Sequence, residues 1–226
     1  MTRRREAGKR NRERTEEEIQ RALEDQIREE GMLRTGINAV AKRADVSKEL
    51  IYRYFGGMDG LFMAMMQSHD YWTKAGDIPS RAASRGMSPA DTVLLMLTEQ
   101  MDSLRANEVV QEVRRWELLD ADETRQKLAK RREQLARGFI ENIAADHEAD
   151  TVDVPAITGI LLAGVLYLVL RSKTEDQFLG VSLRDEEGWE RFRNALETIV
   201  QSAFPPELRD APRSDASKKE EDDEYE

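Results

Sequence analysis

Between Ser47 and Phe55 the chain reads S-K-E-L-I-Y-R-Y-F, which brings a hydroxyl, an ammonium, a carboxylate, a guanidinium and two phenols into little more than two helical turns. On a 3.6-residue period Ile51 and Phe55 share one face as an i, i+4 pair, while Glu49 and Arg53 point directly away, flanked by Leu50 and Tyr52. The outward set has the chemistry of a base-reading face. Arg53 carries the fork that pairs with guanine O6 and N7, Glu49 can accept from a cytosine amino group, and Leu50 can meet a thymine methyl. Lys48, in the first turn, opposes the helix dipole, and an anion such as phosphate outside the helix relieves that cost. The bland reading of Glu49 and Arg53 is a surface i, i+4 ion pair worth roughly 0.2–0.5 kcal/mol.

Two further helices must position this face. Ile37, Val40, Ala41 and Ala44 form an i, i+3, i+4, i+7 stripe, and Ala44-Asp45-Val46-Ser47 is a short break that ends on an N-cap serine. The order helix, tight turn, helix is that of a helix-turn-helix. Upstream, Thr15-Glu16-Glu17-Glu18 fits a capping box that opens another helix. Its buried stripe is Ile19, Ala22, Leu23 and Ile27, and Gly31 ends it at the left-handed C′ position.

From Thr15 to about Phe62 these residues resemble the DNA-binding domain of the TetR family of bacterial transcriptional regulators. The match is clearest in Thr35-Gly-Ile-Asn-Ala-Val-Ala-Lys-Arg-Ala-Asp-Val-Ser47 and in Leu50-Ile-Tyr-Arg-Tyr-Phe55. Two positions depart from the family pattern: Asp45 stands where the turn carries glycine, and Met58 stands where a lysine holds a phosphate. The resemblance implies an all-α fold, with an N-terminal three-helix helix-turn-helix domain followed by a larger helical ligand-binding and dimerisation domain. It implies a double-stranded DNA operator as partner, contacted through Thr35, Ser47, Lys48, Glu49, Leu50, Tyr52, Arg53 and Tyr54. Within that set Tyr52 donates its hydroxyl to phosphate, and Tyr54 does the same or packs sideways. Thr35 and Ser47 bring hydroxyls and helix N-terminal amides to the DNA backbone.

Charge is consistent with a divided molecule. The net charge of −10 argues at first against a polyanion partner, but residues 1 to 60 carry 14 Lys and Arg against 12 Asp and Glu, net +2. The remainder carries 21 against 33, net −12, so one end attracts DNA and the other repels it. Residues 1–14, with Arg3, Arg4, Arg5, Lys9, Arg10, Arg12 and Arg14 against Glu6 and Glu13, read as a flexible basic arm. With no cysteine there is no disulfide framework or thiolate metal site, which fits a reducing cytoplasm. The opening residues lack the apolar stretch of a secretory signal, so a cytoplasmic protein is expected.

Beyond the helix-turn-helix domain (15–61) the resemblance implies an effector-binding and dimerisation domain over 62–204, which the periodicity predicts to be helical. A helix from Met58 to about Ala75 is expected to join the two, followed by a Pro, Gly and Ser-rich loop over Ile78 to Ser88. Further helices are expected from Pro89 to Leu104, Glu108 to Leu119, Glu123 to Asp146, Pro155 to Ser172 and Glu186 to Phe204, with no convincing strand. Val154 to Leu170 is the most apolar segment; it is short for a membrane span and is broken by Pro155, Gly159 and Gly164, so a fully buried helix is expected instead. Gly159 and Ala163 allow close helix approach, and Trp189, Phe192, Leu196 and Ile199 form a packing seam. The family resemblance makes these residues a homodimer interface. It also implies a small-molecule effector pocket among the middle helices, for which Met65, Trp72, Met96, Met101, Trp116, Leu119 and Phe139 are candidates, so that a bound effector is largely apolar. Residues 205–226 read as a disordered acidic tail.

Other function classes find little support. The two histidines, His69 and His147, have no metal-ligand spacing, and no Gly-rich phosphate loop or nucleophile motif is present. No enzyme activity, cofactor or metal is expected. The function expected is a sequence-specific regulator, a homodimeric repressor released by its effector; the alternative is a DNA-binding protein of the same fold that is constitutive or controlled by a protein partner.

Overall fold

In the computed structural model, which describes residues 2–68, 73–118, 123–144 and 152–210, the elements run α1 (Thr2–Glu30), a 3-10 turn (Met32–Arg34), α2 (Ile37–Arg43), α3 (Lys48–Phe55), α4 (Met58–Ser68), α5 (Thr73–Ser84), α6 (Pro89–Ala106), α7 (Glu108–Glu117), α8 (Glu123–Ala144), α9 (Val154–Arg171), β1 (Gln177–Phe178), β2 (Val181–Ser182), α10 (Glu186–Ala203) and α11 (Pro206–Asp210). The all-α class holds, with a helix-turn-helix unit and a larger helical unit. Packing groups Met1–Thr73 with Asn107–Lys130, and Lys74–Ala106 with Arg131–Glu226. Helix α7 therefore packs with the DNA-reading helices, although it follows α6 in the chain.

In the first unit the α1 stripe Ile19, Ala22, Leu23 and Ile27 is buried together with Val40, Ala41, Ile51, Leu61, Phe62 and Met65. Val109, Val113 and Trp116 of α7 close the same core, and Trp116 meets Phe62 edge-on with centroids 5.5 Å apart. The helix begins well before Thr15. Thr15 is not its N-cap; its hydroxyl donates to the Asn11 carbonyl at 2.9 Å from within the helix, and residues 2–14, read as a flexible arm, form the first turns of α1. The reason lies in the carboxylates assigned to a capping box. Glu16 and Glu18 accept from Arg12 and Arg14 at 2.7 and 2.9 Å, i, i+4 pairs that extend a helix backwards rather than start one.

Gly31 does end α1, with φ 78 and its amide donating to the Ile27 carbonyl at 2.9 Å. Between α3 and α4, Gly56 caps α3 in the left-handed region. Gly60 is forced by proximity: a β-carbon there would lie 1.7 Å from the Phe55 carbonyl oxygen.

In the second unit α6 packs against α9, α10 and α11. The stretch expected as a loop from Ile78 is instead helical to Ser84, with Pro79 inside α5. Burial explains it: Ile78 and Ala82, an i, i+4 pair, are 2% and 0% exposed, and Arg81 forms a forked ion pair with Glu99 of α6. The expected helix from Met58 to Ala75 is represented by α4 and the start of α5, with residues 69–72 outside the described residues. Ser88 caps α6 by accepting from the Asp91 amide at 3.1 Å, one residue before Pro89.

Three further expectations are corrected here. The described residues include two short strands, paired antiparallel as Gln177 with Ser182 and Phe178 with Val181. Pro206–Asp210, placed in the acidic tail, forms α11 and buries Leu208; residues 211–226 lie outside the described residues. Helix α9 is not fully buried: its length and composition would suit a membrane crossing, yet only 22% of it is covered. Val154, Thr158, Val165 and Val169 face inward, while Ala156, Gly159, Ile160, Ala163, Gly164 and Tyr167 are exposed.

A charged network ties α6 to α10. Arg193 donates to Asp102, Glu186 and Glu190 at 2.6, 2.7 and 2.8 Å. Arg105 donates to Glu186 at 2.7 Å and stacks 4.5 Å from the Trp189 ring centre. Hydrogen bonds from Arg105, then Arg193, hold the Glu186 carboxyl at about 2 rather than the ordinary 4.5. A carboxylate lowered in the folded state stabilises above its unfolded pKa, and that contribution is lost as pH falls through the folded value. Urea midpoints of the wild type and Glu186→Gln should therefore differ at pH 7 and converge as the pH approaches about 2, the difference at pH 7 being small because the carboxylate is exposed and screened. Gly60→Ala should cost about 3 kcal/mol or more in urea unfolding, since the added methyl meets backbone, whereas Gly56→Ala, with open space around it, should cost about 1 kcal/mol.

Candidate nucleic-acid interface

The reading face is built on a turn that closes tightly. Ala44 bonds back to Val40, and the Val46 amide reaches the Ala41 carbonyl at 3.0 Å, which requires Asp45 to adopt φ 52. Aspartate tolerates that region better than most side chains, so it can replace glycine there. Ser47 then has extended backbone geometry, and its Oγ accepts from the Leu50 amide at 3.3 Å. From α1, Gln26 and Glu29 hold α2 through Arg43, whose Nε is 3.2 Å from Gln26 and whose Nη1 is 2.8 Å from Glu29. That bond keeps the Glu29 carboxyl below its ordinary range.

Ile51 is wholly buried in the first unit's core, and Phe55 and Tyr54 are partly buried against it. Lys48, Glu49, Tyr52 and Arg53 are exposed, with Leu50 half-buried. Helix α3 thus presents the four expected polar residues on one open surface. Among the described residues Glu49 and Arg53 form no ion pair. Glu49 folds back on the helix start, where its own amide and then the Ser47 hydroxyl lower its pKa, so it stays ionised and available as an acceptor. The Arg53 guanidinium lies 5.3 Å from the Tyr54 ring centre.

Arg12 of α1 lies 5.0 Å from the same ring centre, with its Nε on Glu16 at 2.7 Å. The helical N-terminal extension therefore brings a second guanidinium beside the reading helix. Spacing alone could not reveal this, because Arg12 and Tyr54 meet only through the packing of α1 on the rest of the unit. Tyr54 thus has two cations over its ring; Tyr52, 56% exposed, leaves its hydroxyl free while its ring covers Gly57. Thr35 is part-buried, and its hydroxyl proton is taken by the Gly31 carbonyl at 2.9 Å, so that hydroxyl does not donate to phosphate in this conformation. Met58 is partly buried against the core, so the position of the family's lysine serves packing here.

The other site residues divide between the units. Met65 and Trp116 fill the core beneath α3, whereas Met101 and Phe139 are buried in the second unit, with Met96 half-buried on α6. Trp72 and Leu119 lie outside the described residues. Of the seam expected at a second subunit, Trp189 and Leu196 are buried within their own chain, because α10 turns that side to α6. Phe192 remains half-exposed, Ile199 is 45% exposed, and Gly159 and Ala163 are open.

An N-capped helix with exposed Lys48, Glu49, Tyr52 and Arg53, set on a buried three-helix core, defines a helix-turn-helix DNA reader. Residues 19–65 match the family model described as "Bacterial regulatory proteins, tetR family". That match lies within the first unit, whose helix-turn-helix is a DNA-binding domain of this type. FadR of Bacillus subtilis, solved in complex with stearoyl-CoA, is similar in fold with a TM-score of 0.58 at 16% identity, covering 83% of this chain and 98% of that one. The fatty acid degradation regulator FadR of Bacillus halodurans gives a TM-score of 0.58 at 14% identity, over 84% and 96% of the two chains. A Rhodococcus sp. protein described as a TetR-family transcriptional regulator gives 0.63 at 20% identity, over 84% and 98%. At these identities the likeness is one of fold. No curated protein matches the sequence.

Arg53→Ala should lower affinity for the specific site by about 1–3 kcal/mol and relax sequence preference, whereas Lys48→Ala should reduce the salt dependence of binding by about one ion. Fluorescence anisotropy over a salt series separates the two. Arg12→Ala should follow Lys48→Ala, since a guanidinium held by Glu16 and Tyr54 offers charge to the backbone.

Proposed function

We propose that the protein is a homodimeric repressor that binds a two-half-site operator and is released by a small, largely apolar effector. The observation that carries the DNA half is the exposure of Lys48, Glu49, Tyr52 and Arg53 on a helix anchored by Ile51. One short helix reads too few base pairs to be selective in a genome, so two copies are needed. The uncovered apolar side of α9, together with Phe192 and Ile199 on α10, is suited to join them.

For the effector, the fold shared with a regulator solved with stearoyl-CoA supports a long acyl chain, or its CoA thioester, as the class. The second unit supplies apolar candidates in Met96, Met101 and Phe139. It also holds the Thr158 hydroxyl, 3% exposed and without a hydrogen-bond partner, a polar group suited to fix an otherwise apolar ligand. Release requires that the effector bind the DNA-incompetent conformation more tightly; tight binding to both conformations shifts nothing.

Binding to the DNA upstream of its own gene tests the DNA half. Protection should cover two half-sites spaced by about one helical turn or a multiple. Equal affinity for unrelated duplexes at physiological salt would sink the reading. Adding acyl-CoAs of increasing chain length should release that DNA and raise the melting temperature. Thr158→Val should leave the fold unchanged or more stable by about 1 kcal/mol, since an unpaired buried hydroxyl is removed, while weakening acyl-CoA release. An unweakened response would assign Thr158 to packing alone.

A further inference from the structure

The hairpin between α9 and α10 breaks a turn rule at its most exposed point. Phe178 pairs with Val181, so the loop consists of Leu179 and Gly180, with φ 49 and φ 76. Two-residue loops with both central residues at positive φ favour Asn, Asp or Gly at the first position, because a β-carbon there is strained. Leucine has no local hydrogen bond to offset that strain, and here it is 90% exposed. It is disfavoured twice within its own chain, by its backbone and by its solvation.

The base of the hairpin is fixed. The Leu183 side chain is buried, and its carbonyl accepts from Trp189 Nε1 at 3.1 Å. The Leu183 amide bonds to the Asp176 carbonyl at 2.8 Å, and Arg184 pairs with Asp176 at 2.7 Å. Gly188 lies so close beneath the strand that a β-carbon would sit 2.0 Å from the Ser182 carbonyl oxygen. An apolar tip on a rigid base is pre-organised for a partner.

The tip continues an uncovered apolar face. Phe178 meets Tyr167 of α9 edge-on, with centroids 5.5 Å apart, and Tyr167 lies one i, i+7 step from Ile160, which is 73% exposed. Between them lie Ala163 and Gly164, and Gly159 adjoins. No Asp, Glu, Lys, Arg or His occurs on α9 before Arg171. The patch therefore combines projecting side chains with flat small-residue surface and needs no counter-charge. A two-fold contact between identical patches requires that self-complementary mixture.

We infer that the Phe178-Leu179-Gly180-Val181 hairpin is an interface clasp, with Leu179 of each copy seated on the apolar face of a second copy of this chain. The inference rests on the homodimer reading above and deepens it. The strain is tolerated because the leucine leaves water only in the dimer.

Leu179→Asn distinguishes the possibilities, since asparagine suits the turn and removes the apolar tip. Full-length protein is diluted in sedimentation velocity runs, and melting is followed at a concentration where the protein is monomeric. The expected result is dimer dissociation strengthened on the order of tenfold or more, with monomer melting unchanged or raised. Ile160→Asp, at an exposed position, should abolish the dimer without unfolding the monomer. An unchanged dimer constant in Leu179→Asn beside a monomeric Ile160→Asp overturns the clasp and leaves the dimer face standing. A lowered monomer melting temperature in Leu179→Asn also overturns the clasp, because the leucine then serves its own chain. A wild-type chain that stays monomeric at all concentrations overturns both readings.

Discussion

Everything at the DNA-reading end depends on the burial of Ile51. Helix α3 has eight residues, too few to hold itself together in water, where isolated helices shorter than about 12–15 residues are marginal. Its stability comes from docking Ile51 among Ile19, Leu23, Val40 and Phe62, a burial worth roughly 1.5–3 kcal/mol. The Ser47 cap and the left-handed Gly56 end the helix cleanly on either side, and the close approach at Gly60 fixes the corner into α4. With the underside pinned, the rotation of the helix about its axis is determined. Lys48, Glu49, Tyr52 and Arg53 then have no course but outward.

The outward surface is more basic than α3 alone suggests. Arg12 reaches Tyr54 from α1, so two guanidiniums stand over one phenol ring. Meanwhile Met58, where relatives of the family carry a lysine, turns towards the core. Charge lost at the start of α4 is thus offset by charge brought in along α1. The helical form of residues 2–14 matters for this, because a rigid extension delivers Arg12 to one place, whereas a coil would spread its charge over many.

The second unit shows one composition used for two purposes. On α10, Trp189, Leu196 and Val200 face α6, and the Arg105, Arg193 and Glu186 network seals the edge of that contact. The same helix leaves Phe192 and Ile199 on its other side, next in chain to a helix, α9, that is apolar all round but covered on one side only. Uncovered apolar area of this kind is costly in water, and it is the feature on which the proposed dimer rests.

Periodicity was sufficient to place α2, α3, α6, α7, α9 and α10 within a residue or two, and to orient Ile51 and Arg53 correctly, because the 3.6-residue repeat is a local property. The turn at Asp45 and the cap at Ser47 were legible for the same reason. Local rules failed where burial or a competing ion pair outweighed them. Pro79 sits inside a helix because Ile78 and Ala82 are buried, and Thr15 is no cap because Arg12 and Arg14 claim the neighbouring carboxylates. The hairpin at Leu179 was invisible because each strand is only two residues long and its turn uses a residue that turns disfavour. The amino-acid sequence by itself determined the class of fold, the reading helix and its outward residues, since caps and repeats act over a few positions. Only the tertiary structure decided that Trp189 and Leu196 belong to the interior, that α9 keeps an open face, and that Arg12 stands beside Tyr54, because each depends on which surface another helix covers.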